Sequence, residues 1–112
     1  MSARHETLLW VAQRASAAVL ALCVVVHLAT IVYAVRGGLS AAEILHRTQG
    51  SYGWLAFYAV FVAAVSIHAL IGLRTLVSET CGWRGAALDA LMLVFGVVLA
   101  LWGWRAVLAV FV

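Results

Sequence analysis

Two histidines stand inside long apolar stretches, and they are the residues best suited to do chemistry. His27 follows three valines and His68 follows an isoleucine. Ionisable side chains within membrane-spanning stretches are costly and mark functional sites by default. An imidazole that burial keeps neutral is a natural axial ligand for haem iron. The alternative for either histidine is packing and hydrogen bonding to a neighbouring helix, but two in one short apolar chain favour ligation.

The elements that position these histidines follow from the composition. Of the 112 residues, 67% are hydrophobic and 10% are charged, and the mean hydropathy is +1.13. A soluble domain is about half apolar and a quarter charged, so this chain lacks the polar residues to cover a soluble surface. The chain contains no proline. Because backbone polar groups in lipid must be satisfied within their own segment, the apolar runs are predicted to be helices.

The apolar runs predict an all-α membrane protein with three transmembrane helices. Together with the two histidines, they lead us to expect that these helices form part of a haem-binding bundle. The spans are expected at about residues 15–35, 52–73 and 86–112, within a single anchor domain of residues 1–112. Each reaches the roughly 20 residues that cross a hydrocarbon core. A short interfacial helix is predicted from Ser40 to His46 with Ser40 as its N-cap. Residues 74–85 are expected to form the second link, and the first dozen residues to lie along the interface.

The depth of the two histidines predicts separate sites. If Arg14 and Arg74 mark the inner edge, a rise of about 1.5 Å per residue puts His27 roughly 20 Å deep and His68 roughly 9 Å deep. The two axial ligands of one haem iron must lie at nearly the same depth in the membrane. Each histidine is therefore predicted to bind a different haem, with the second ligand supplied by a partner chain. Arg74 is a candidate to pair with a haem propionate, or simply snorkels to the headgroups.

The positions of the charges and of the cysteines exclude some functional classes and predict the orientation of the chain. All seven basic residues are arginines scattered between apolar runs, which excludes a nucleic-acid-binding patch. The positive-inside rule favours a cytoplasmic N-terminus, because the N-terminal side carries more of these charges than the opposite side. Those on the N-terminal side are Arg4, Arg14, Arg74 and Arg84. The cysteines, Cys23 and Cys81, form no haem-attachment motif and imply no disulfide framework.

Two stretches carry a resemblance to a known family. The first is Gln13-Arg14-Ala15-Ser16 with the apolar run to Val26-His27-Leu28, and the second is Ile67-His68-Ala-Leu-Ile-Gly72-Leu-Arg74. They resemble the cytochrome b membrane-anchor family of succinate dehydrogenases and fumarate reductases.

The resemblance assigns roles to individual residues. It implies that His68 is a haem b axial ligand, that His27 is a ligand as in the di-haem members, and that Arg14 and Ser16 line a quinone site near the iron–sulfur subunit. Gly72 would let a flat macrocycle approach the helix, or would serve close helix packing. The chain departs from mono-haem relatives, which usually carry His and Gly at the positions of Gln13 and Ala17.

The resemblance also implies a setting for the chain. A flavoprotein subunit would carry out the succinate chemistry, an iron–sulfur subunit would carry electrons, and a second membrane anchor would complete the haem sites. The cofactors would be haem b and a quinone, either ubiquinone or menaquinone, in a bacterial inner membrane. The alternatives are a haem-free anchor of the same family, another di-haem membrane cytochrome, and a small transporter or assembly subunit whose histidines relay protons or bind metal. The absence of acidic residues from the first two spans counts against a proton pathway.

Overall fold

The first helix, α1, runs without interruption from Ala3 to Arg36 in a computed structural model that describes residues 2–112. The Ser2 hydroxyl caps it by accepting from the His5 N–H. No glycine or proline follows until Gly37, so nothing breaks the helix. The expected separate interfacial segment before residue 15 is therefore wrong. Thirty-four residues span about 51 Å, which exceeds a hydrocarbon core of about 30 Å, so α1 projects beyond the membrane.

The second helix, α2, is the short helix predicted after the first span. It covers Ala41–Thr48 with Ser40 as its N-cap. The Ser40 hydroxyl accepts from the Glu43 N–H at 3.2 Å and lies 3.1 Å from Glu43 Oε1. The serine hydroxyl thus caps the helix and also donates to the side chain of the glutamate three residues later. The predicted helix and its cap are confirmed, and the helix extends two residues further than expected.

The other long helices are α3, Tyr52–Cys81, and α4, Ala86–Phe111. The prediction ended the second span at Leu73 because Arg74 follows it, and it assigned residues 74–85 to a link. That boundary is wrong for the helix, since a charge ends an apolar run without ending the backbone hydrogen bonds. α3 instead continues to Cys81 and stops at Gly82, which adopts the left-handed conformation typical of a helix C-terminus.

α3 is the central helix and contacts both α1 and α4. Its approach to α4 is close at two glycines. A β-carbon on Gly103 would stand 2.6 Å from Val62 Cγ1, and one on Gly96 would stand 3.3 Å from Leu70 Cδ1. Membrane helices associate largely through such close contacts at small residues, because lipid provides little hydrophobic drive. The α3–α4 pair is therefore the tightly packed half of the bundle.

At the end of the bundle that contains α2, hydrogen bonds link the segment between α2 and α3 to the C-terminal end of α4. The Gly50 N–H donates to the Phe111 carbonyl at 2.8 Å, and Gln49 Nε2 donates to the Val112 carbonyl at 3.0 Å. This end also holds the last turn of α1 and the first turn of α3. All three long helices are apolar enough to cross a membrane, and residues 2–112 contain no strand. The prediction of an all-helical membrane protein with three spans is confirmed.

Candidate functional site

His27 faces the central helix and contacts two of its aromatic residues. Its Nδ1 lies 3.4 Å from the Tyr58 hydroxyl, and its ring makes edge contacts with Tyr58 and Phe61 at centroid distances of 5.7 and 5.5 Å. With the proton on Nδ1, the imidazole donates to the Tyr58 oxygen and leaves Nε2 unprotonated. Metal-binding histidines commonly have such an acceptor for their second ring nitrogen. The surroundings of His27 therefore fit an axial ligand.

Thr30 completes the polar group around this histidine. Its hydroxyl donates to the His27 carbonyl at 2.6 Å. Thr30 also lines one cleft together with His27 and Tyr58. Sequence reasoning missed Tyr58 and Thr30, although both are polar residues within predicted apolar spans.

Two clefts open on either side of the His27–Tyr58 contact. The first, which we call the α4 cleft, has a volume of about 390 Å³ and lies among α1, α3 and α4. It is lined by His27, Tyr58, Phe61, Val62, Val65, Ser66, Leu99, Trp102, Gly103, Ala106, Val107 and Val110. The second, the α2 cleft, has a volume of about 540 Å³ and lies beneath α2. It is lined by His27, Thr30, Ile31, Tyr33, Ala34, Val35, Leu39, Ile44, Arg47, Thr48, Trp54 and Tyr58.

His68 has a different environment. Its side chain is half-buried on α3, and its Nδ1 is buried without a hydrogen-bond partner among residues 2–112. A group from outside the chain therefore cannot reach Nδ1. The other ring nitrogen, Nε2, is not enclosed in this way, so it is the atom that an external group can approach. A haem held between this chain and a partner chain would take Nε2 as its ligand, so His68 also fits an axial ligand.

The two histidines lie at different levels of the bundle. His27 contacts Phe61, and His68 follows Phe61 by seven positions on the same helix. At about 1.5 Å per residue this places His68 about 10 Å further along α3. The separation agrees with the depth estimate from the sequence. One iron cannot take both rings, so each would need its own metal.

The residues predicted to line a quinone pocket are spread over two sides of α1. Ser16 is buried, and its hydroxyl donates to the Gln13 carbonyl at 3.1 Å. Arg14 is exposed, with its guanidinium 5.2 Å from the centre of the Trp10 ring. The structure thus brings both to the same turn of α1, with the hydroxyl facing the bundle and the cation facing outward.

Gly72 packs against the first helix. A β-carbon on Gly72 would stand 3.2 Å from Gln13 Nε2, and Gln13 Oε1 is buried without a partner among residues 2–112. The space beside Gly72 is therefore taken up by a glutamine side chain. Of the two roles expected for this glycine, close helix packing is the one that these contacts support.

Arg74 forms the ion pair between α3 and α4. Its Nε donates to Asp89 Oδ1 at 2.7 Å. Asp89 was missed by sequence reasoning, although it is the one acidic residue in the third apolar run. Arg74, the residue expected to pair with a haem propionate, thus pairs with a carboxylate of this chain. In the described part of the chain, no three His, Cys, Asp or Glu side chains converge to form a metal site by themselves.

Three long apolar helices, with half-buried histidines on two of them, define a multi-pass membrane protein. The chain belongs to the family of succinate dehydrogenase/fumarate reductase transmembrane subunits, whose family model matches residues 1–104. No curated protein and no solved structure matches the chain. The family expected from the two sequence stretches is confirmed, and with it the role of a membrane subunit.

Proposed function

We propose that this chain is a haem b-binding membrane anchor of a succinate:quinone oxidoreductase that passes electrons between an iron–sulfur subunit and membrane quinone. The observation that carries the proposal is the half-buried imidazole of His68 on the central helix, whose Nε2, unlike the buried Nδ1, is not enclosed by the chain, in a chain of this family. A soluble flavoprotein subunit would carry out the dicarboxylate chemistry. This chain would hold that assembly at a bacterial inner membrane, with its N-terminus in the cytoplasm.

The proposed haem ligands are His68 for one haem and His27 for a second. The haem supplies a one-electron carrier when bound. The chain's own residues set its surroundings: His27 is oriented by the Tyr58 hydroxyl and contacts the ring of Phe61, and both imidazoles are half-buried. Because the histidines differ in level by about 10 Å along α3, each haem needs its second axial ligand from another chain. A second anchor subunit is therefore part of the proposal.

The quinone pocket is proposed at the turn of α1 that holds Arg14 and Ser16. Ser16 is buried and has a hydroxyl that can turn from the Gln13 carbonyl to a quinone oxygen. Arg14 lies on the outward side of the same turn, where its charge can act on the docked iron–sulfur subunit or on the quinone headgroup. This turn lies at the end of the bundle where α1 projects from the membrane, which is the natural position for a soluble partner.

A haem-free anchor of the same family is the second candidate. The contact between Gln13 and Gly72 favours it, because helix packing alone then explains the glycine next to His68. In that case His27 serves packing through its contacts with Tyr58 and Phe61.

The decisive experiment is the haem-to-protein ratio and the reduced-minus-oxidised spectrum of the complex purified through a tag on this chain. The variants are His27→Ala and His68→Ala, with the exposed His46→Ala as the matched control. We expect two haems b in the native complex, with a different one lost in each of the two variants and neither lost in the control.

Loss of haem only with His68→Ala would assign His27 to packing. A native complex without haem would overturn the cytochrome assignment, and absence of the flavoprotein and iron–sulfur subunits would point to a transporter or assembly subunit.

A further inference from the structure

The α2 cleft combines a long apolar wall with a cation at its mouth. Ile31 and Val35 of α1 and Ile44 of α2 line the wall. At the mouth, Arg47 donates to the Tyr33 hydroxyl at 3.4 Å, and its guanidinium lies 5.4 Å from the centre of the Tyr33 ring. A cation beside an aromatic face is held in place without losing its charge. The cleft therefore suits a molecule with an anionic head and an apolar tail.

The charge of Arg47 is not neutralised by a carboxylate of this chain. The ion pair between Arg74 and Asp89 is the one found among residues 2–112. Glu43, one turn before Arg47 on α2, interacts with its own N-cap, since the Ser40 hydroxyl lies 3.1 Å from its Oε1. Arg47 thus retains donors for an anion from outside the chain.

The position of the cleft in the bundle indicates which type of anion would bind there. Arg47 lies on a short helix at the end of the bundle, next to the C-terminal turn of a membrane-spanning helix that ends at Arg36. This is the level of the lipid headgroups, where phosphate groups are abundant and arginine binds them through paired hydrogen bonds. The apolar wall runs from this level toward His27 and Tyr58, along the direction of a lipid acyl chain.

We propose that the α2 cleft is a binding site for a phospholipid, with the phosphate on Arg47 and one acyl chain along the wall formed by α1 and α2. Bound there, the lipid would fill the space between the α2 helix and the first and third helices. The phosphate contact at Arg47 and the acyl-chain contacts at Ile31, Val35 and Ile44 involve no residue proposed to bind haem or quinone, although His27 lines the inner end of the same cleft.

The test uses the purified complex and native mass spectrometry with added phosphatidylglycerol as the probe. We expect one tightly retained phosphatidylglycerol per chain in the native protein. Arg47→Gln should reduce this retention about tenfold, the size expected for loss of a charge-assisted hydrogen bond. Arg36→Gln is the matched control, since Arg36 is an arginine at the same end of the bundle that does not line the cleft, and it should leave retention unchanged.

Two further measurements distinguish recognition of the headgroup from loss of structure. Arg47→Lys keeps the charge and should retain the lipid to within about threefold, since lysine also binds phosphate as a point charge. Diacylglycerol with the same acyl chains carries no phosphate and should not be retained. Equal retention in Arg47→Gln and Arg36→Gln, or retention of diacylglycerol as strong as that of phosphatidylglycerol, would overturn the proposal. Its failure would leave the haem measurements unaffected.

Discussion

Arg74 Nε donates to Asp89 Oδ1 at 2.7 Å and thereby links the C-terminal part of α3 to the first turn of α4. Asp89 lies in that first turn, where a carboxylate also interacts favourably with the helix dipole. The side chains are 20% and 44% exposed, so water and headgroups screen the pair. The contact therefore fixes the geometry of the α3–α4 connection more than it adds stability.

Asp89→Asn is expected to lower the stability of the complex by about 1 kcal/mol or less, as for other partly exposed ion pairs. Thermal unfolding of the purified complex measures this loss, and Glu79→Gln on the exposed last turn of α3 is the control. Haem content should remain unchanged in Asp89→Asn.

Arg74→Gln separates the two roles of this arginine. If Arg74 also pairs with a haem propionate, one of the two roles expected from the sequence, Arg74→Gln loses haem or shifts its potential while Asp89→Asn does not. Identical spectra and identical stability losses in Arg74→Gln, in Asp89→Asn and in the double variant would show that the ion pair is the whole role of Arg74.

Gly103→Ala is expected to destabilise the bundle by about 1–3 kcal/mol, the usual cost of overpacking. The added methyl would stand 2.6 Å from Val62 Cγ1, so either the Val62 side chain must rotate or α3 and α4 must separate. Gly53→Ala, where the nearest atom is Ser51 Oγ at 3.9 Å, is the control and should be neutral or slightly stabilising. Thermal unfolding in detergent measures both. Recovery in the double variant Val62→Ala, Gly103→Ala would confirm the steric cause, and an unchanged Gly103→Ala protein would refute it.

Tyr58→Phe removes the hydroxyl that orients His27. If His27 binds iron, an acceptor on Nδ1 increases the basicity of the ligand and stabilises the oxidised metal. We therefore expect the midpoint potential of the haem that depends on His27 to rise, while the other haem is unchanged. A spectroelectrochemical titration measures this, with Tyr52→Phe as the control because Tyr52 is 77% exposed. A shift of both haems, or of neither, would contradict the assignment.

Ser16→Ala tests the proposed quinone pocket. Loss of one buried hydrogen bond of about 1 kcal/mol corresponds to a rise of about fivefold in KM for quinone, with kcat for artificial electron acceptors unchanged. Ser66→Ala is a close control, because Ser66 is also buried and also donates to a backbone carbonyl, that of Val62 at 2.8 Å. If both variants raise KM alike, the effect comes from helix packing and Ser16 does not contact quinone.

The helices and their number could be predicted because apolar run length and the absence of proline determine them. Their ends could not, since Arg74 ends an apolar run while the backbone hydrogen bonds continue to Gly82. The candidate ligands His27 and His68 could be found because a histidine in an apolar run is conspicuous. Tyr58, which contacts His27, was missed, because that contact depends on how α1 is rotated against α3, and no local pattern in the sequence determines that rotation.

The uneven packing of the three long helices has a consequence for biosynthesis. α1 leaves the ribosome before α3 and α4, so it can enter the bilayer before the helix that packs against it has emerged. Its most apolar window has a mean hydropathy of 2.5, against 2.1 for each of the other two, and only 6% of that window is buried, against 17%. α1 is therefore suited to insert alone, whereas α3 and α4, with glycines at their contact, are suited to enter the membrane together as a hairpin.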